Sequence, residues 1–234
     1  MPFLSLWRGR YHLAMKFFQR TINRNPAYFI GYILFFILLS VFCFFTSKAD
    51  GFLLINHFHN DLFDHFFTMF TNVGNGFVVI ALMIFLLIRK KTGWVLQIGI
   101  SLLISGLLVQ MIKHFMPSPR PVIFFAAGTV HYILGVTRTG HSSFPSGHTA
   151  TAFMLTTLLA LYFPGPKPGL IFLIIAVLTG YSRVYLSQHF PIDVLAGSLA
   201  GLLPSLAVYK FIPLPFFEKK SSKPEWDQQS IKLR

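Results

Sequence analysis

Two residues at the end of an apolar block form a pair that could carry out nucleophilic chemistry. Asp193 follows His189 by four residues in SRVYLSQHFPID. At that spacing a carboxylate can accept a hydrogen bond from one imidazole nitrogen and fix the tautomer, which leaves the other nitrogen with a lone pair for attack. A purely structural histidine–aspartate pair would not explain why Arg183 stands six residues upstream. The stretch is therefore a candidate catalytic segment.

A second candidate segment, FPSGHTATAF, precedes another apolar block. Ser146 and Gly147 lead directly into a predicted helix that begins near His148. The first turn of a helix exposes backbone N–H groups, and the helix dipole adds positive potential, so this is a suitable place for an anion. A lone histidine there would more often be an interfacial residue without a chemical task. Whether His148 can act as an acid therefore depends on which residues lie near it.

The third segment, KHFMPSPRP, supplies two cations. Lys113 ends an apolar block, and Arg120 stands between two prolines that end the helix. Taken singly, a snorkelling lysine and an incidental arginine would be the simpler interpretations. With Arg183, however, the three segments provide three cations, two histidines and a carboxylate. Phosphoryl transfer needs such a set, because positive groups must hold the phosphate oxygens in line with attack.

The elements that position these residues are predicted membrane spans. The chain has 234 residues, of which 54% are hydrophobic and 12% are charged, and this composition argues against a soluble helical protein. Apolar blocks of about 20 residues, the length needed to cross a bilayer, lie near 27–46, 68–88, 93–114, 148–164, 169–187 and 192–212. We expect an all-α polytopic membrane protein with six transmembrane helices and short interfacial helices.

The basic residues predict the orientation of these spans. One side of the predicted membrane carries Arg8, Arg10, Lys16, Arg20, Arg24, Arg89, Lys90, Lys91, Lys167, Lys210, Lys219, Lys220, Lys223, Lys232 and Arg234. Because short cytoplasmic loops retain such residues, both termini should be cytoplasmic and all three candidate segments should lie on the opposite side. Topology therefore accounts for the formal net charge of +13, and no nucleic-acid partner is expected.

A single domain, 1–234, is predicted. It comprises a basic interfacial segment (1–26), the catalytic region (113–193) and a polar cytoplasmic tail (214–234). The loop between the first two spans contains histidines and aspartates that could be read as a metal site: His57, His59, His65, Asp61 and Asp64. Its apolar residues recur at near-helical spacing, so we favour a short helix on the outer interface.

The three segments together resemble the signature of the type-2 phosphatidic acid phosphatase superfamily. The resemblance runs from Lys113 to Asp193 and includes the order, the internal spacing and the helix context of the motifs. It implies that His189 attacks phosphorus, Asp193 orients His189, and His148 protonates the leaving oxygen. It also implies that the phosphate is bound by Lys113, Arg120, Ser146, Gly147 and Arg183. Neither a cofactor nor a metal is expected.

The resemblance implies a lipid phosphatase of the cytoplasmic (inner) membrane whose site opens on the periplasmic or extracellular side. Undecaprenyl diphosphate, phosphatidylglycerophosphate, phosphatidic acid and the phosphate of lipid A are all plausible substrates. The bilayer and the lipid phosphate are the expected partners, and no obligate protein partner is inferred. In the outer loop, 122–144, Arg138 and His141 are equally well read as head-group contacts and as plain solvated residues.

Three other functions remain open at this stage. A phosphotransferase would pass the phosphohistidine group to another lipid instead of water. A vanadate-dependent haloperoxidase resembles the same motifs, although those enzymes are soluble. A lipid transporter would place its charges at mid-span and on both sides, whereas the charges here gather at one end.

Overall fold

A computed structural model of the protein describes residues 15–136 and 139–212, and within these ranges the chain is helical and contains no strand. The predicted all-α class is therefore confirmed. The α-helices are α1 (15–24), α2 (Pro26–Phe45), α3 (Lys48–Asn56), α4 (Asp61–Phe70), α5 (Gly76–Ile88), α6 (Thr92–Phe115), α7 (Pro121–Phe124), α8 (Gly147–Tyr162), α9 (Pro166–Tyr185) and α10 (Pro191–Phe211).

The centre of the molecule is the close packing of α8 against α10. Gly201 lies so near α8 that an added Cβ would stand 2.1 Å from the carbonyl oxygen of Ala150. Ser205 donates a 3.0 Å hydrogen bond to the carbonyl of Met154, and Ser105 of α6 donates one of 2.8 Å to the carbonyl of Ala200. Small residues let helix backbones approach in this way in membranes, where no hydrophobic effect drives helices together.

Four helices in the described part of the chain are long and apolar enough to cross a membrane: Pro26–Phe45, Thr92–Phe115, Pro166–Tyr185 and Pro191–Phe211. A fifth candidate is the pair Asp61–Gly74 and Gly76–Ile88, whose two halves are bent by 56°. Helix α8 has 16 residues and is largely buried by its neighbours, so it is shorter than the span predicted at 148–164.

The bend is where the structure departs from the apolar block predicted at 68–88. Helix α4 ends at Phe70, a 3₁₀ turn covers Thr71–Gly74, and α5 begins at Gly76. The Asn75 side chain caps α5 by accepting a 3.1 Å hydrogen bond from the Phe77 amide. An asparagine cap after a glycine favours a new helix start over continuation of the old one, and hydropathy alone does not register this signal.

The predicted interfacial helix between the first two spans is instead two helices, α3 and α4. Two of its acidic and histidine residues, Asp64 and His59, contact distant parts of the chain. The Asp64 carboxylate lies 2.9 Å from His131 Nε2 and accepts a 2.6 Å hydrogen bond from the Tyr185 hydroxyl. The ring of His59 stacks on that of His131 with centroids 3.9 Å apart. These contacts fasten the segment to the outer loop and to the end of α9.

The basic segment predicted at 1–26 is described from residue 15 onward, and residues 15–24 are helical. Arg24 Nε donates a 2.6 Å hydrogen bond to the carbonyl of Leu161, close to the end of α8. The tail predicted at 214–234 and the candidate residue Arg138 lie outside the described residues.

Candidate active site

A cavity of about 580 Å³ opens where four helix ends meet: the end of α6, the start of α8, the end of α9 and the link into α10. Its lining includes the cations Lys113, Arg120 and Arg183 and both candidate histidines, His148 and His189. No aspartate or glutamate is among the described lining residues. Because several cations meet no opposing carboxylate at its surface, the cavity is suited to an anion.

His189 and Asp193 form the pair that their spacing predicts. His189 Nδ1 lies 3.3 Å from Asp193 Oδ2, and both side chains are almost fully buried. The arrangement depends on the start of α10, where Pro191 occupies the first turn and Asp193 the third position. There the carboxylate also accepts a 2.9 Å hydrogen bond from the Phe190 amide. A helix start thus fixes the carboxylate, and the carboxylate orients the imidazole.

A serine hydroxyl also holds the same carboxylate oxygen. Ser143 Oγ donates a 2.5 Å hydrogen bond to Asp193 Oδ2 and is fully buried. Asp193 Oδ1 is buried and lacks a hydrogen-bond partner among the described residues. Three donors therefore converge on one oxygen, which favours the ionised carboxylate and keeps it in place.

Burial sets the protonation state of His189. The pKa of the imidazole is lowered to about 4, chiefly by its removal from water, with a smaller contribution from the nearby Arg183 and Arg120 and against the opposing effect of Asp193. The ring is thus neutral at physiological pH, with Nδ1 directed at the carboxylate and Nε2 carrying the lone pair.

Arg120 is held by Gln188, which lies beside His189 in the link between α9 and α10. Its Nη1 donates two hydrogen bonds of 3.0 Å, to the carbonyl and to the side-chain oxygen of Gln188. The Gln188 amide in turn donates to the carbonyl of Val136 at 2.8 Å. The arginine and the nucleophile candidate are thus positioned by adjacent residues, so their separation is fixed by a single short backbone segment.

Arg183 and Lys113 reach the cavity from the ends of two different helices. Arg183, at the end of α9, is buried and donates from Nη1 to the hydroxyl of Thr71 in the 3₁₀ turn. Lys113, at the end of α6, is half-buried and donates to the carbonyl of Ser142. Arg120 and Arg183 are buried to a degree that arginine rarely reaches without a specific function.

The start of α8 forms part of the cavity wall. Ser146 caps the helix: its hydroxyl accepts hydrogen bonds from the Thr149 amide at 3.4 Å and the Thr149 hydroxyl at 2.8 Å. Gly147 and His148, in the first turn, line the cavity. The Ser146 amide is directed elsewhere, because it donates to the carbonyl of Asp193 at 3.0 Å. Ser146 thus ties the start of α8 to the start of α10.

Of the eight predicted site residues, six line the cavity: Lys113, Arg120, Gly147, His148, Arg183 and His189. Asp193 and Ser146 are fully buried and are not among the lining residues. The exposed His141 is also absent from the lining, although its carbonyl accepts from the Ser118 amide at 3.1 Å.

Sequence reasoning missed three residues that hold the site together, namely Ser143, Gln188 and Thr71. Ser143 and Gln188 adjoin the candidate segments, so proximity to the motifs was an available signal. Thr71 lies 112 residues from its partner Arg183, and no local pattern connects the two.

The sequence profile of the PAP2 superfamily matches residues 94–216, which is more than half of the chain. The chain belongs to the PAP2 superfamily. This confirms the resemblance of the three motifs to the type-2 phosphatidic acid phosphatases, and with it the prediction of a lipid phosphatase. Thr71 and the rest of the first two apolar blocks lie outside the matched residues.

Individual PAP2 relatives support the same assignment. The undecaprenyl-diphosphatase BcrC of Bacillus subtilis is 29% identical over 167 residues, which cover 68% of this chain and 81% of that protein. The crystal structure of Aquifex aeolicus LpxE is similar with a TM-score of 0.64 and 34% identity, covering 71% of this chain and 97% of that one.

A more distant PAP2 structure shows the fold alone. The first transmembrane PAP2 type phosphatidylglycerolphosphate phosphatase from Bacillus subtilis gives a TM-score of 0.57 at 24% identity, over 78% of this chain and 94% of that one. Together with the apolar helices described above, this likeness identifies a multi-pass membrane protein.

Proposed function

We propose that this PAP2 protein hydrolyses a phosphate or diphosphate group from a membrane lipid through a phosphohistidine on His189, without a metal. The observation that carries the proposal is a buried imidazole whose Nδ1 is held by Asp193 and which lines a cavity with three cations. A neutral histidine with one nitrogen fixed and the other turned to an anion site has the geometry of an activated nucleophile.

In the first step Nε2 of His189 forms a bond to phosphorus, and the bond from phosphorus to the lipid oxygen breaks. His148 gives its proton to that oxygen, so the lipid leaves as an alcohol or as a shorter phosphate. Lys113, Arg120 and Arg183 bind the remaining phosphate oxygens, together with the first-turn amides at Gly147. Positive groups fixed in advance around developing charge are usually the largest contribution to such catalysis.

In the second step water replaces His189 on phosphorus. His148, now neutral, takes a proton from the water as it attacks, and the nitrogen–phosphorus bond breaks to release inorganic phosphate. One histidine must therefore be neutral at the start of the cycle and the other protonated. Burial of His189, which lowers its pKa to about 4, favours the neutral form on the nucleophile.

We further propose six spans, formed by α2, the bent α4–α5 pair, α6, α8, α9 and α10, with both termini in the cytoplasm. In this arrangement the end of α6, the start of α8, the end of α9 and the start of α10 all lie on the outer side. The basic residues Arg89, Lys90 and Lys91 then lie on the inner side, as the distribution of positive charge requires. The active site would open to the periplasmic or extracellular surface.

Among the possible substrates, undecaprenyl diphosphate is supported by the name of BcrC, an undecaprenyl-diphosphatase of which the alignment covers 81%. A smaller cavity of about 170 Å³, lined by Gly74, Gly76 and Gly106 among others, shares Val109, Gln110, Gly147 and His148 with the main cavity. Since α5 and α6 flank this smaller cavity, it offers a lateral route by which a lipid chain could extend from the phosphate site toward the bilayer.

The decisive experiment measures phosphate release by purified protein from undecaprenyl diphosphate, phosphatidylglycerophosphate, phosphatidic acid and lipid A, with a chelator present throughout. We expect release from at least one of these lipids, and we expect His189→Ala to abolish it. Chelator-sensitive activity would overturn the metal-free mechanism. Release by His189→Ala at the wild-type rate would overturn the phosphohistidine.

A further inference from the structure

Arg183 is fixed by a part of the chain that the PAP2 profile does not match. Its Nη1 donates to the hydroxyl of Thr71, which is buried in the 3₁₀ turn Thr71–Gly74. A guanidinium group binds phosphate in a bidentate manner only when its plane is correctly oriented. A hydroxyl acceptor on one of its nitrogens restricts the rotation of that plane. The contact therefore bears directly on how Arg183 presents its remaining donors to the cavity.

The other end of the same turn contacts the helix that carries His148. A Cβ added to Gly74 would stand 2.6 Å from the carbonyl oxygen of His148 and 2.8 Å from Thr179 Cγ2. A Cβ essentially never lies that close to an atom to which it is not bonded, so only glycine permits this approach. The turn thus lies between the first turn of α8 and the last turns of α9.

We propose that the Thr71–Gly74 turn is a positioning element for the active site. Thr71 orients Arg183, and Gly74 lets the turn pack closely against the backbone of His148 and so fixes its position. The break in the predicted second span then has a function, because a straight helix could not place a threonine hydroxyl at Arg183 and a glycine at His148 in this way. This inference rests on the phosphatase mechanism proposed above and assigns a role to residues outside the three motifs.

The test for Thr71 compares two substitutions at this residue. Thr71→Val keeps the shape and removes the acceptor, and Thr71→Ser keeps the acceptor. Using whichever lipid phosphate the wild type hydrolyses, we expect Thr71→Val to lower kcat roughly 10- to 100-fold, the scale of a misplaced catalytic group. It should weaken inhibition by orthovanadate to a similar extent, while Thr71→Ser stays near wild type. Thr71→Ala carries the same expectation as Thr71→Val if the valine variant does not purify.

Thr179→Val is the matched control for loss of a buried hydroxyl. Thr179 is fully buried beside the same turn, but its hydroxyl bonds to the Ile175 carbonyl of its own helix. We expect this variant to retain wild-type kcat and vanadate inhibition. Equal losses in Thr71→Val and Thr179→Val would mean that the turn contributes packing alone, and the positioning role would be rejected.

The test for Gly74 uses another glycine, Gly99 in α6, as its control. Gly74→Ala should lower kcat because the new methyl group displaces the His148 backbone. Gly99→Ala should not, since its added Cβ would meet only the flexible end of the Met83 side chain, at 3.1 Å, and Gly99 lines neither of the two cavities. Equal kcat values for the two variants would contradict the role of Gly74.

A double-mutant cycle tests the coupling between Thr71 and Arg183. If Thr71 acts through Arg183, then Thr71→Val should change the residual activity of Arg183→Lys by no more than about 2-fold. If the double variant instead loses the product of the two single-variant factors, the inference is overturned. An inactive wild type across the whole lipid panel would instead count against the proposed function, so the two failures are distinguishable.

Discussion

At the scale of single residues, the site is built from pairs in which one side chain restrains another. His189 is held by Asp193, Asp193 by Ser143, Arg120 by Gln188 and Arg183 by Thr71. Each of these four groups is therefore placed by a neighbour that does not line the cavity. Loss of a partner should reduce activity by misplacing a group that is still present.

The Asp193 carboxylate gives the clearest prediction at this scale. Asp193→Asn keeps the size but allows the wrong imidazole tautomer, so we expect kcat to fall about 10³-fold, by analogy with other histidine–aspartate pairs. Ser143→Ala removes one of three donors on the same oxygen and should cost about 10-fold. Ser198→Ala is the control, because the buried Ser198 hydroxyl donates to Leu195 within its own helix. Wild-type kcat in Asp193→Asn would contradict the pairing.

The dependence of kcat/KM on pH reports the two histidines. His189 must be neutral to attack, and burial lowers its pKa to about 4, so protonation should inhibit the free enzyme only as the pH falls toward 4. His148 must be protonated to act as an acid, so activity should also fall at alkaline pH. The expected profile is bell-shaped, with its acid limb well below the ordinary histidine range.

A substrate with an acidic leaving group tests the role of His148 separately from that of His189. Such a leaving group needs no proton, so in His148→Ala the kcat/KM for p-nitrophenyl phosphate, which reports only the formation of the phosphohistidine, should fall much less than the kcat/KM for a lipid phosphate. A monotonic profile from acid to alkaline pH, or an equal loss for both substrates, would refute the division of labour between the histidines.

At the scale of elements, the structure shows which features the sequence could predict. Helices whose ends carry the motifs were recognisable, because apolar blocks and basic loops are local patterns and because Pro191 and Ser146 mark helix starts. The contacts of Thr71 with Arg183 and of His131 with Asp64 were not, since they join positions 112 and 67 residues apart. Local periodicity contains no information about such pairs.

Close packing of α8 and α10 gives a prediction about stability. A Cβ on Gly201 would lie 2.1 Å from a backbone oxygen, which cannot move as a side chain can. We expect Gly201→Ala to destabilise the protein by at least about 1–3 kcal/mol, the usual cost of overpacking, and to lower its melting temperature in detergent. Gly106→Ala, also within a helix, meets nothing within 4 Å and should melt like the wild type. Similar melting temperatures for both variants would argue against a tight α8–α10 contact.

At the scale of the whole molecule, the proposed topology makes one helix the link between a basic inner loop and the active-site face. Helix α6 has 24 residues, and a helix of that length is about 36 Å long, enough to cross the hydrocarbon core. Lys91 immediately precedes it, and the exposed Ala127 lies in the loop that follows it. These two positions should therefore face opposite sides of the membrane.

Cysteine labelling of intact cells tests this arrangement. Cys43 is the single cysteine of the chain, so a Cys43→Ser background accepts one new cysteine at a time. A membrane-impermeant maleimide should label Ala127→Cys in intact cells, and it should label Lys91→Cys only after the membrane is permeabilised. The reverse pattern would place the active site in the cytoplasm. That result would exclude lipid phosphates confined to the outer leaflet as substrates, because the three cations and His189 lie at the same end of α6 as Ala127.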